Sequence, residues 1–130
     1  MEIAVKEFEQ TELITIQGRV DSVEASRLEL ALEAANHRGK YRIVVDMSQV
    51  EYMSSAGFRA LGGAQRNSKR HNRGEVVLAQ VPNLIRGALE LIGLAAYFNI
   101  FDNVASALEF AANLPASDST TDAPPPSPGK

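Results

Sequence analysis

The sequence predicts an α/β fold, a mixed sheet of four to five strands with helices packed against it. Three observations carry that expectation. Ile3, Val5 and Phe8 alternate with polar neighbours, and Leu13 to Val20 repeats the pattern after Gln10-Thr11, which reads as two antiparallel strands joined by a short turn. Tyr41 to Val45 is a short run of aromatic and β-branched residues, as expected of a buried central strand. Beyond each of these runs the apolar residues recur at helical spacing, so the predicted order is ββαβαβαβα.

Each element has a local reason. Asp21-x-x-Glu24 opens the first helix as a capping box with Asp in place of Ser or Thr. Ala25, Leu28, Ala31, Leu32 and Ala35 form one apolar face. His37 and Arg38 in its last turn complement the dipole, and Gly39 closes it. Asp46, Ser48 and Gln49 break the central strand, with side chains able to satisfy turn backbone locally. A second helix from about Ala56 to Lys69 follows, with Phe58, Leu61 and Ala64 at helical spacing. Gly62-Gly63 lies inside it, each glycine about 1 kcal/mol worse than Ala there, which calls for close packing on the sheet or a neighbouring helix.

Gly74 starts a fourth strand, Glu75 to Gln80, and Pro82 stands in the first turn of a third helix. Leu84, Ile85, Ala88, Leu89 and Ile92 line its apolar face, and Gly93 ends it. Leu91 and Leu94 widen that face and are assigned to the core, the other reading being an exposed docking patch. Tyr97 to Phe101 is a short fifth strand. Asp102 caps a last helix carrying Val104, Ala107, Leu108 and Ala111, and Leu114-Pro115 stops it.

Residues 1–114 therefore make one domain. Residues 115–130, rich in Pro, Ser and Asp, are too poor in large apolar groups to bury anything and are expected to be a disordered, inert tail. The length of 130 residues suits one domain with a real core rather than two. No apolar run is long enough to span a bilayer, so no direct membrane insertion is expected. The first residues lack the pattern of a signal peptide, and cysteine is absent. A cytoplasmic protein is the simplest reading. A net charge of only −3 argues against nucleic acid or an anionic membrane as main partner and leaves another protein. The basic stretch Arg66, Lys69, Arg70, His71 and Arg73 has no interleaved aromatic; it reads as a solvated helix end, or as a contact for an acidic protein patch.

The stretch most able to carry function runs from Ile43 to Phe58, where Ser54 and Ser55 stand just before the second helix. A serine there has a structural reading, accepting a hydrogen bond from a first-turn amide for roughly 0.5–2 kcal/mol. It also has a functional one. Free amides and the positive end of the dipole favour a phosphate esterified at that point, and Ala56 and Gly57 leave the hydroxyl open to approach.

Asp46-Met47-Ser48-Gln49-Val50 followed by Tyr52-Met53-Ser54-Ser55-Ala56-Gly57-Phe58 resembles the signature of STAS domains, and specifically of bacterial anti-sigma-factor antagonists. In that family a strand ends in Asp-Leu-Ser-x-Val. A run Phe-Met-Asp-Ser-[Ser/Thr/Ala]-Gly-Leu follows, whose first Ser accepts phosphate. Aligned on Gly57, the resemblance puts Ser55 at the phosphoacceptor position, with Ser54, the second choice of acceptor, in place of the family's Asp. Gly18-Arg19-Val20-Asp21 resembles the family's Gly-x-Leu-Asp. The resemblance implies a STAS fold and a partner surface of Asp21, Ser54, Ser55, Ala56, Gly57, Phe58 and Arg59. For Asp21, a role as helix cap stands beside recognition.

Catalysis has no support in the sequence. A nucleophile elbow needs Gly two residues before the serine, where Met53 stands. His37 and His71 lie at predicted helix ends, without the spacing of a metal pair. No catalytic residue, metal ligand or cofactor of its own is expected. The resemblance implies a protein that binds a serine-kinase anti-sigma factor when unphosphorylated, frees a sigma factor, is disabled by phosphorylation of Ser55, and is restored by a serine phosphatase. ATP and metal belong to those partners. The alternative function is a STAS subunit that is not switched, in a lipid-transport or stress-signalling assembly.

Overall fold

The structure, a computed structural model, describes residues 1–71 and 74–114. Its elements are β1 (Glu2–Glu7), β2 (Thr11–Val20), α1 (Glu24–His37), β3 (Arg42–Met53), α2 (Ser55–Lys69), β4 (Glu75–Ala79), α3 (Asn83–Leu91), a 3-10 turn (Ala95–Tyr97), β5 (Ile100–Phe101) and α4 (Val104–Ala112). This is the predicted order. Arg73, at the end of the basic stretch, and Pro115 with the tail to residue 130 lie outside the described residues.

The five strands sit side by side in chain order, β1 antiparallel to β2 and the rest parallel. Parallel crossovers are almost always right-handed. A sheet that advances one strand at a time in one direction therefore collects its crossover helices on one face. Here α1, α2 and α3 share that face, and α4, which follows the last strand, folds back under the other. The central strands are apolar on both sides for this reason. Ile43 and Val45 of β3 and Val76 and Leu78 of β4 meet the three helices. Val44, Val77 and Ala79 meet Ala107 and Ala111 of α4.

Several local expectations are corrected. β3 does not stop at Val45. The Asp46 carboxylate accepts the Ser48 amide at 3.0 Å, and the register with β2 slips from Thr15↔Asp46 to Gln17↔Gln49. The polar residues thus make a bulge inside a strand that continues to Met53. Pro82 precedes the first turn of α3 rather than sitting in it. Only Ile100 and Phe101 of the segment from Tyr97 pair with β4, because Ala95–Tyr97 is wound into the 3-10 turn. Asn103, not Asp102, caps α4; its side-chain oxygen accepts the Ser106 amide at 2.7 Å. Gly39 and Gly93 close α1 and α3 as expected, with φ of +84° and +82°.

The apolar face of α3 is narrower than predicted. Ile85 and Leu89 are buried, but Leu84, Leu91 and Ile92 are 82%, 89% and 54% exposed. Leu94 does pack on the core, next to Gly62. Close packing does not explain Gly62-Gly63. A methyl on Gly62 would meet Leu94 at an ordinary 3.8 Å, and one on Gly63 only the tip of Arg66 at 3.9 Å.

Two buried polar groups went unnoticed in the sequence. Arg38 does more than complement the helix dipole: its guanidinium grips the fully buried Glu12 carboxylate through two bonds of 2.7 Å. That hydrogen bonding, outweighing desolvation and helped by the charges of Glu12 and Glu7, raises the Arg38 pKa above the ordinary arginine range. Gln65 of α2, fully buried, donates to the Tyr97 carbonyl at 2.9 Å and accepts the Val76 amide at 2.7 Å. It ties α2 to β4 and the 3-10 turn.

Candidate functional site

β3 is paired on both sides only as far as Asp46, where it meets Ala79, the last residue of β4. From there to Met53 it is accompanied by β2 alone. The two strands end together, Val20 opposite Met53, and the Ser54 amide donates to the Val20 carbonyl at 2.8 Å. Asp21 and Ser54 therefore leave the sheet as neighbours, each leading into a helix. The Asp21 carboxylate accepts the Glu24 amide at 2.8 Å. Glu24 does not complete the predicted box; its side chain pairs with Arg27 at 2.7 Å. The Ser54 hydroxyl accepts the Gly57 amide at 3.3 Å and is the N-cap of α2.

Ser55 begins α2, one residue earlier than the sequence suggested. It is exposed, and its hydroxyl makes no hydrogen bond to any described residue. The first turn of α2 holds no acidic residue, so no carboxylate of that turn offsets the positive end of the dipole. Ser54 takes the capping role, and Ser55 stands exposed on the first residue of the helix.

The predicted partner surface splits in two. Gly57 is buried, and a methyl there would stand 2.6 Å from Cγ of Met53 and 3.1 Å from Cγ1 of Val20. Phe58 is 6% exposed and belongs to the core. Both are shielded from solvent, Gly57 by the side chains of Met53 and Val20 at the ends of β3 and β2. Asp21, Ser55 and Arg59 are exposed, and Ser54 and Ala56 are half-buried. Arg59 and Ala56 line a groove of about 190 Å³ with Ser22, Ser26 and Glu29 of α1 and the turn before it.

Along the same two helices a larger groove of about 430 Å³ has Glu29 and Glu33 on one wall and Arg66 and Arg70 on the other. Arg66, Lys69, Arg70 and His71 are exposed, as a solvated helix end should be. The His71 ring stacks on Tyr41, with centroids 5.0 Å apart. One surface feature was missed: the Arg19 guanidinium lies over the ring of Tyr52 at 4.5 Å, and Tyr52 is 41% exposed. The two residues are paired across β2 and β3. Only the register after the bulge brings them together, so no signal along the chain marks them as a pair.

The family profile described as Mlab, STAS domain matches residues 3–101. BtrV of Bordetella bronchiseptica, named as an anti-sigma factor antagonist, is 29% identical over 116 residues, covering 88% of this chain and 99% of BtrV. Unphosphorylated SpoIIAA, an anti-sigma factor antagonist, shares the fold with a TM-score of 0.76 at 15% identity, covering 88% of this chain and 99% of that one. Phosphorylated SpoIIAA of Bacillus gives 0.69 at 16% identity over 84% of this chain and 98% of that one. An anti-sigma factor antagonist from Mycobacterium paratuberculosis gives 0.75 at 22% identity, with coverages of 86% and 94%. With its strand order, its long β3 and its serine turn at the start of α2, the chain belongs to the STAS domain family.

Proposed function

We propose that this protein is a phosphorylation-controlled anti-sigma factor antagonist acting in the cytoplasm. Unphosphorylated, it binds a serine-kinase anti-sigma factor and releases a sigma factor; phosphate on Ser55 blocks that binding, and a serine phosphatase reverses it. The observation that carries the proposal is Ser55 itself, an exposed, unbonded hydroxyl on the first residue of α2 beside Asp21. The relatives support the role: BtrV and SpoIIAA carry the name of antagonist, and SpoIIAA exists in a phosphorylated form.

Magnitudes choose the blocking mechanism. Phosphoserine adds about −1.5 to −2 charge. At an exposed helix start the dipole returns roughly 0.3–1 kcal/mol, too little to remodel a domain. Desolvating the dianion in an interface without a paired cation costs on the order of 2–5 kcal/mol. Since about 1.4 kcal/mol is tenfold in affinity, charge and bulk at the interface abolish binding while the backbone stays put. The contact surface is Asp21, Ser54, Ser55, Ala56 and Arg59, with the Arg19–Tyr52 pair on the adjoining strands.

The test is incubation with the cognate kinase and ATP, followed by mapping of phosphate by mass spectrometry. Label on Ser55, absent from Ser55→Ala, is the expected result; label confined to Ser54 defeats the site assignment, and tight kinase binding by Ser55→Glu defeats the blocking mechanism. Ser54 in place of the family's Asp favours the second reading, a STAS subunit without a switch. Co-purification with a membrane transporter ATPase, and no kinase, would be its signature.

A further inference from the structure

β1 is an outer strand of the sheet, with β2 on one side and no described strand on the other. Of its residues only Ile3 is half-buried; the rest are exposed. The hairpin fixes which backbone groups of β1 are free. The Phe8 amide donates to the Thr11 carbonyl at 2.8 Å, and the register runs unbroken from Glu7↔Glu12 to Glu2↔Gln17. Antiparallel pairs alternate between bonded and unbonded. Lys6, Ala4 and Glu2, at even steps from Phe8, therefore turn their amides and carbonyls toward β2. Ile3, Val5 and Glu7 turn theirs outward, where no described strand takes them. Such an edge is a template for a further strand.

We infer that β1 is a self-association edge, on which a second copy of this chain pairs its own β1 antiparallel across a two-fold axis that passes beside Ala4, perpendicular to the sheet. Only outward-turned residues can exchange hydrogen bonds across the axis, so Ile3, Val5 and Glu7 must meet one another rather than their neighbours. With Ala4 opposite Ala4, Ile3 of each copy lies against Val5 of the other, a bonded pair on either side of the axis. Val5, 44% exposed in the single chain, is then covered. On the other face of the strand the same register sets Glu2 of each copy against Lys6 of the other, at the closely spaced unbonded pairs. Neither Glu2 nor Lys6 forms an ion pair among the described residues; Lys6 lies over the Phe8 ring, 5.5 Å from its centroid. An axis at Val5 would instead set Ile3 against Glu7 and Ala4 against Lys6, and an axis at Ile3 would set Glu2 against Ala4. An exposed lysine ordinarily guards a sheet edge. A copy of the same strand answers it with a carboxylate.

The 6 residues of β1, at about 3.4 Å each, span about 20 Å, too narrow a strip for the roughly 800 Å² per partner of a standard interface. The dimer is therefore weak, with a dissociation constant on the order of 100 μM. Because the joined strands are antiparallel, β3 of the two copies runs in opposite directions, and the Ser55 turns lie at opposite ends of the joined sheet. The inference does not rest on the reading of Ser55.

Sedimentation equilibrium of the full chain from about 5 μM to about 1 mM, a range bracketing that constant, tests it. The weight-average mass is expected to climb from 14.1 kDa toward twice that value. Hydrogen exchange over the same range locates the contact: the Ile3 and Val5 amides should slow about fivefold at the upper concentration, while those of Ala4 and Lys6, already bonded to β2, should not change. Val5→Pro deletes an outward N–H that the single chain does not use and should hold the chain monomeric with an unchanged circular dichroism spectrum. Glu2→Lys and Lys6→Glu should each weaken association about tenfold by setting like charges opposite, and the double exchange should restore it. A wild-type chain that stays monomeric throughout, or a dimer whose Ile3 and Val5 amides exchange as fast as in the monomer, overturns the inference. A double exchange no better than its single parents overturns the register.

Discussion

The amide of Ser54 donates to the carbonyl of Val20 at 2.8 Å, and that bond hangs the first turn of α2 from the end of β2. The residue after each partner then has a fixed neighbour: Asp21 beside Ser54, with Ser55 above. A surface drawn from two distant parts of the chain is thereby held by backbone, which is why substitutions here separate cleanly into those that loosen the turn and those that change what it presents.

Ser54→Ala removes the cap of α2 and should cost about 1 kcal/mol in urea denaturation. Ser55→Ala removes an unbonded, exposed hydroxyl and should stay within about 0.5 kcal/mol of the parent. The opposite order of stabilities would show that the two hydroxyls have been assigned the wrong way round.

The glycines of α2 should respond with opposite signs. Gly57→Ala forces a methyl against Met53 and Val20 and should destabilise by about 1–3 kcal/mol. Gly62→Ala and Gly63→Ala have room and should each stabilise by about 0.5–1 kcal/mol through the lower entropy of the unfolded chain. Thermal melts of the three variants decide the matter.

Gln65→Leu keeps the volume in the core but strands the Val76 amide and the Tyr97 carbonyl, at about 1–3 kcal/mol for each unsatisfied group. Hydrogen exchange at Val76 should accelerate by more than at other β4 amides. Uniform acceleration would mean that the side chain acts only as filler.

Arg38→Met leaves the buried Glu12 carboxylate without its partner and should lower Tm; adding Glu12→Leu should recover part of the loss, because an unpaired buried charge is worse than none. The sign of the pH dependence follows from the raised Arg38 pKa. Its contribution is fully present below the ordinary arginine range and disappears only as pH rises through the raised pKa. Titration of Arg38 therefore gives no slope to stability between about pH 6 and pH 10, where the guanidinium stays charged.

Tyr52→Ala and Arg19→Ala break an exposed stack beside the serine turn. Both should leave Tm nearly unchanged and weaken binding of the proposed kinase partner at least about tenfold, about 1.4 kcal/mol. Calorimetric titration with unaltered affinity would remove the pair from the contact surface.

Much of this architecture is legible along the chain, because a period of two or of 3.6 in the apolar residues is a local property of the backbone each segment adopts. The order of nine elements, the glycine stops at Gly39 and Gly93, and a serine pair at the head of the second helix all follow from neighbours within a few positions. The errors have a common origin. Asp46 and Ser48 look like the end of a strand until β2 arrives to pair beyond the bulge. Gly57 looks available until Met53 and Val20 close beneath it, and Leu91 looks internal until α3 proves to bury only Ile85 and Leu89.

Which conformation a stretch prefers, and hence where a serine hydroxyl meets a helix dipole, was written into residues 43–58 themselves. Which side chains face water was not. Burial depends on what the rest of the chain brings alongside, and Arg19 on Tyr52, Arg38 on Glu12 and the bare flank of α3 exist only once strands and helices far apart in sequence have been laid next to one another.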